Sequence, residues 1–143
     1  MMSEILLKTC FRFLCPLLVL ISFIMLLRGH NLPGGGFIGG LTLSLAMILL
    51  ILAKFNSKVE MIIRSHFAKM IAVCILGLTI TALAPLLVSK PILTGLWTTI
   101  PLPIAGKVSS ILFFDFFIYM TVAISITRAY VEFTDFSSEG KSV

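Results

Sequence analysis

Apolar runs without a single charge cover most of the chain. Phe13–Leu27, Gly29–Ala53 and Met70–Ser89 contain no Lys, Arg, Asp or Glu, and a shorter run lies at Val108–Phe114. A helix needs roughly 20 mostly apolar residues to cross hydrocarbon, and it satisfies its own backbone while doing so. The first run reaches that length by starting near Lys8, with Lys8 and Arg12 extending to the head groups. The last reaches it from about Ser109 to Thr127 and takes in one acid, Asp115. The pattern predicts an all-α membrane protein with about four spans, near residues 8–27, 37–53, 70–89 and 109–128 of a single domain over 1–143.

The segments between these runs have patterns of their own. Phe55, Val59, Ile62, Ile63 and Phe67 recur at helical spacing, with Asn56, Ser57, Lys58, Glu60 and Arg64 turned away. This predicts an amphipathic helix at the interface, or the first turns of the third span. From Lys90 to Lys107, Pro91, Pro101 and Pro103 exclude a regular helix, and Trp97 suggests the membrane–water boundary. A structured outer loop packed on protein is expected there. The tail over 129–143, with Glu132, Asp135 and Glu139, is expected to fray.

Composition agrees with a lipid environment. Hydrophobic residues make up 59% and charged residues 12% of the 143, against roughly 45–50% and about 25% in soluble domains. With four spans, one face collects Lys8, Arg12, Lys54, Lys58, Arg64, Lys69, Arg128 and Lys141, and the other only Arg28, Lys90 and Lys107. Positive residues in short loops stay cytoplasmic, so both termini are expected inside. The net charge of +5 is then a topology signal, and nucleic acid is a poor explanation for it. A cleaved signal peptide is the rival for the first run, but Arg28-Gly29-His30 supplies no small-residue cleavage pattern. Cys10, Cys15 and Cys74 fall inside spans and imply no disulfide framework.

Six of the ten glycines stand in the twelve positions Gly29-His30-Asn31-Leu32-Pro33-Gly34-Gly35-Gly36-Phe37-Ile38-Gly39-Gly40. Gly34, Gly36 and Gly39 formally match a dinucleotide fingerprint, but that motif needs a preceding strand and here a spanning helix precedes it. Gly35/Gly39 and Gly36/Gly40 are spaced four apart at the start of an apolar helix, which lets another helix pack closely.

This twelve-residue joint resembles the signature of the MnhB/MrpB-type small subunit of Mrp/Mnh multisubunit monovalent cation/proton antiporters. Members of that family are similarly short, have about four spans, and carry an acid after an aromatic in the last span. Phe114-Asp115 matches, with Tyr119 following; where the family often has a glycine after the acid, Phe117 stands here. The resemblance implies a subunit of a bacterial or archaeal cell-membrane complex that exchanges sodium or another monovalent cation for protons. In that family, large subunits related to those of respiratory complex I carry the proton pathway, and small ones are implicated in cation passage and assembly. A homologous subunit of a membrane-bound hydrogenase-type or complex I-related complex, or a purely structural assembly subunit, would carry the same joint.

Three residues are candidates for the ion pathway. Asp115 is an ionisable group at membrane depth, which by default marks a functional site facing protein or water. Its carboxylate is able to ligate a sodium ion through oxygen or to accept a proton; the alternative is a hydrogen-bonded acid that locks helix packing. Tyr119 lies one turn on and shares its face, placed to bond the carboxylate or pack with it. His30 has the ring chemistry of a proton relay, or else bonds backbone carbonyls at the turn. Gly29, Asn31, Pro33, Gly34, Gly35, Gly36, Phe37, Gly39 and Gly40 are expected to shape the joint. Thr42, Ser44, Thr79 and Thr81 are read as helix-packing polar residues. No nucleophile–base pair, phosphate loop, metal cluster or cofactor motif is present in the sequence, so no covalent catalysis is expected.

Overall fold

The computed structural model describes residues 2–29, 34–53, 57–102 and 106–139. Four helices carry the architecture: α1 (Met2–Arg28), α2 (Gly36–Leu52), α3 (Ser57–Leu83) and α4 (Ser110–Glu139). A 3₁₀ turn, Ala84–Val88, and an antiparallel hairpin, β1 (Trp97–Leu102) and β2 (Gly106–Ser109), lie between α3 and α4. The helices pack in the order α1, α2, α4, α3, so that α4 stands between α2 and α3. Leu14, Leu17, Phe23, Val73, Leu76, Ile80 and many other large apolar side chains face outward. Lipid is the solvent that such a surface suits.

Three helices are long and apolar enough to cross a membrane, over Phe11–Arg28, Glu60–Val88 and Ser110–Ser137. The fourth, α2, has 17 residues, or about 26 Å at 1.5 Å per residue. It matches the expected span at 37–53 but falls slightly short of a hydrocarbon core of about 30 Å. Pro16 sits inside α1 without ending it, as membrane helices tolerate.

The amphipathic stretch before the third span forms its first turns, since α3 runs unbroken from Ser57. Its buried stripe includes Ile63, which clusters with Ile124 beside Met47, Phe67 and Met120. The end of α3 tightens at Ala84, where Pro85 supplies no backbone donor and fits the opening of a 3₁₀ turn.

One expectation is extended and one is corrected. The proline-rich segment, expected to be a structured outer loop, contains a β-hairpin that this expectation did not include. Trp97 pairs with Ser109, Pro101 with Lys107 and Leu102 with Gly106, with an irregularity between Trp97 and Pro101. A two-stranded ribbon has an unpaired outer edge, so a proline there breaks no ladder. The ribbon is tied to α4 by Ser110 N–H donating to Leu96 O at 2.9 Å and Leu96 N–H donating to Ser110 Oγ at 3.0 Å. Trp97 is exposed, as an interfacial aromatic should be.

The tail after Arg128 is also no frayed end: α4 continues to Glu139. Arg128 pairs with Glu132 one turn on and lies 5.8 Å from the centre of the Phe67 ring. Arg64 pairs with Glu60 at 2.8 Å and grips both carboxylate oxygens of Asp135 across the helix pair. Val131 is fully buried between these ties. The charges that read as a solvated tail are the rungs of a helix pair.

Candidate functional site

The glycine joint folds back on the last turns of α1. Gly35 has φ 102°, a left-handed conformation that glycine adopts without strain. In that shape its N–H donates to Met25 O at 2.9 Å, and its own carbonyl accepts from Gly39 N–H at 3.0 Å. A side chain on Gly34 would stand 2.7 Å from Met25 O. Gly34 and Gly35 thus lie close against α1, which accepts the Gly35 N–H.

From this turn α2 lays a glycine face on α4. A Cβ on Gly36 would collide with the carbonyl oxygen of Asp115 and stand 3.2 Å from its Cα. One on Gly40 would lie 2.7 Å from Tyr119 O, and one on Gly39 would lie 2.9 Å from Ser22 O on α1. The Gly36/Gly40 pair expected to allow close helix approach does so, and α4 is the helix it admits.

Asp115 is held at the mouth of this seam, half-buried. Its Oδ2 is 3.3 Å from where a Gly29 side chain would begin and 3.5 Å from where a Gly35 side chain would begin. The carboxylate therefore lies against bare backbone at the joint. It also faces the start of α2, whose N-cap Gly35 offers no side-chain hydrogen bond, and the positive end of a helix favours a nearby carboxylate. Among the described residues Asp115 forms no ion pair and no hydrogen bond.

Tyr119 takes a different role from the one its spacing suggested. It is buried, and its hydroxyl lies 3.0 Å from Ser22 Oγ on α1. Ser22 donates to Val19 O at 2.7 Å, so the tyrosine proton goes to Ser22. The ring packs on Gly39, 3.0 Å from where its Cβ would be. Tyr119 fastens α4 to α1 across the glycine face, and its hydroxyl is committed away from Asp115. Sequence pattern did not single out Ser22; a serine alone in an apolar helix was the available signal.

Phe117, standing where the related family often has glycine, fills a notch on the far side of α4. A side chain on Gly77 of α3 would collide with its ring. Phe116 meets Phe117 edge-on with centroids 5.7 Å apart. Phe37 is exposed. Thr42, Ser44, Thr79 and Thr81 each donate to a carbonyl three or four residues back, consistent with packing roles. His30, Asn31 and Pro33 lie outside the described residues.

The fold defines a class: a small membrane protein built from long apolar helices. Within that class, the chain belongs to the family described as "Domain related to MnhB subunit of Na+/H+ antiporter", whose model matches residues 6–128. It is 30% identical over 132 residues to the B-type subunit of the Na(+)/H(+) antiporter of Bacillus subtilis (strain 168), covering 91% of this chain and 92% of that protein. It is 38% identical over 125 residues to the putative antiporter subunit mnhB2 of Staphylococcus aureus (strain Newman), covering 84% and 86%. Its fold is similar to part of a chain in the structure of the Mrp complex from Dietzia sp. DQ12-45-1b, with a TM-score of 0.76 at 30% identity. That likeness covers 90% of this chain and 14% of the other, so the chain spans only a small part of that larger one.

Proposed function

We propose that this chain is a non-catalytic membrane subunit of a multisubunit sodium (monovalent cation)/proton antiporter, serving its cation-translocating module and its assembly. The observation that carries this reading is the meeting of Asp115 with the joint at Gly29, Gly35 and Gly36. An acid is costly at membrane depth and is kept where it does work. In this reading Asp115 lies on the ion pathway and His30 serves it from the same joint. Tyr119 holds α4 in place through Ser22. The other subunits are its partners, and both termini lie in the cytoplasm, where the excess of basic residues belongs.

A strain lacking this protein should become sensitive to sodium or to alkaline pH. Asp115→Asn, which keeps the size of the side chain, should cut cation/proton exchange in membrane vesicles while the complex keeps its size on a native gel. Intact exchange in that variant would leave Asp115 a packing residue. Loss of the complex itself would make the subunit structural.

A further inference from the structure

We infer that the groove between α3 and α4 is a binding site for one anionic phospholipid, distinct from the joint and independent of the antiporter reading. The groove encloses about 350 Å³ between Met70, Val73, Phe117 and Met120, with His66 and Lys69 at one end. Pockets that hold a ligand of moderate size enclose roughly 300–1,000 Å³. Along α3 it runs from His66 to Cys74, about 12 Å at the usual rise per residue. It is an apolar trough open to the side, with the carbon stems of His66 and Lys69 in its lining and both residues exposed.

Charge selects the head group. Arg64 is occupied by Glu60 and Asp135, and Arg128 by Glu132 and the Phe67 ring. Lys69 is exposed and forms no ion pair among the described residues. His66 Nδ1 lies 2.6 Å from Ser65 Oγ, and that hydroxyl donates to Met61 O at 2.8 Å. The ring therefore donates through Nδ1 and leaves Nε2 uncommitted. The Lys69 ammonium, exposed beside an apolar groove, matches a phosphate above an acyl chain. Basic pockets between membrane helices recognise anionic head groups in this way.

The floor favours a lipid chain over a protein helix. Helices that dock in a membrane meet through small residues, as α2 and α4 do at Gly36 and Gly40. This groove is floored by methionine and phenylalanine, with Cys74 the small exception. Flexible methionine conforms to an irregular, mobile partner.

The test uses the protein as extracted, with whatever subunits accompany it, and native mass spectrometry during graded detergent washing. Wild type should retain phosphatidylglycerol in preference to phosphatidylcholine, at one molecule per copy of this chain. Lys69→Gln should weaken phosphatidylglycerol retention about fivefold, roughly the contribution of one basic residue near an anionic surface, with no change in melting temperature. Val73→Trp, at an exposed wall of the groove, should release both lipids. Equal retention of the two lipids by wild type, or an unchanged preference in Lys69→Gln, overturns the assignment. So does a photo-crosslinker at position 73 that captures a neighbouring protein in place of lipid.

Discussion

A single methyl group on Gly36 tests how tightly the joint and Asp115 are bound together. In Gly36→Ala the new Cβ would strike the Asp115 carbonyl oxygen and stand 2.9 Å from the carbonyl carbon and 3.2 Å from Cα. Carbon pairs are comfortable at roughly 3.5–4.0 Å, so α2 and α4 must part by on the order of 1 Å. All three obstructing atoms are backbone, and no rotamer change relieves them. A gap of that size forfeits a quarter to a half of each dispersion contact along the seam, and overpacked cores typically lose about 1–3 kcal/mol. The better helix propensity of alanine returns at most about 1 kcal/mol. The expected net loss is about 1–2 kcal/mol, with the Ser22–Tyr119 hydrogen bond weakened as the helices separate. Thermal unfolding in detergent measures it, with Phe37→Ala as control, since Phe37 is 59% exposed. If Gly36→Ala melts at or above the wild-type temperature while Phe37→Ala is the less stable, α2 and α4 do not meet as closely as argued.

Two further substitutions probe the ties around that seam. Tyr119→Phe removes the donor to Ser22 and should cost about 0.5–1.5 kcal/mol in the same unfolding assay; because the hydroxyl serves packing, exchange activity should fall less than in Asp115→Asn. Asp135→Asn breaks the reach of Arg64 across α3 and α4. The pair is exposed, so global stability should hardly move, while hydrogen exchange beyond Thr127 should quicken; unchanged exchange would mean that the end of α4 does not depend on this pair.

What was legible in the sequence was whatever local spacing carries. The charge-free runs marked the four helices, because lipid forbids charges and non-helical backbone alike. Gly36 and Gly40 announced a close helix contact through their separation of four, and the acid in the last apolar run marked Asp115 as the candidate to examine. That the two meet follows from tertiary packing of α2 on α4, which no local period encodes. The same limit hid Tyr119: its polar neighbour one turn back on the same helix face was Asp115, but its partner Ser22 is 97 residues away. The acidic tail looked frayed because Asp135 and Arg64 are 71 residues apart. The prolines spoke against a helix in this segment, and none is seen among its described residues, but they could not signal a ribbon, which accommodates Pro101. Phe117 departed from the related family's pattern, and Gly77, on another helix, is what accommodates it.

The modest length of α2 makes it a ruler. With 17 residues between the turn at Gly35 and the cap at Ala53, it sets how far the joint stands from the opposite end of α2. An added helical turn would move the joint about 5.4 Å along α4, more than the height of the contact between Gly36 and Asp115. The glycines would then face side chains of the wrong turn, and the carboxylate would lose its bare-backbone wall. The length of α2 is thus part of what keeps Gly36 level with Asp115.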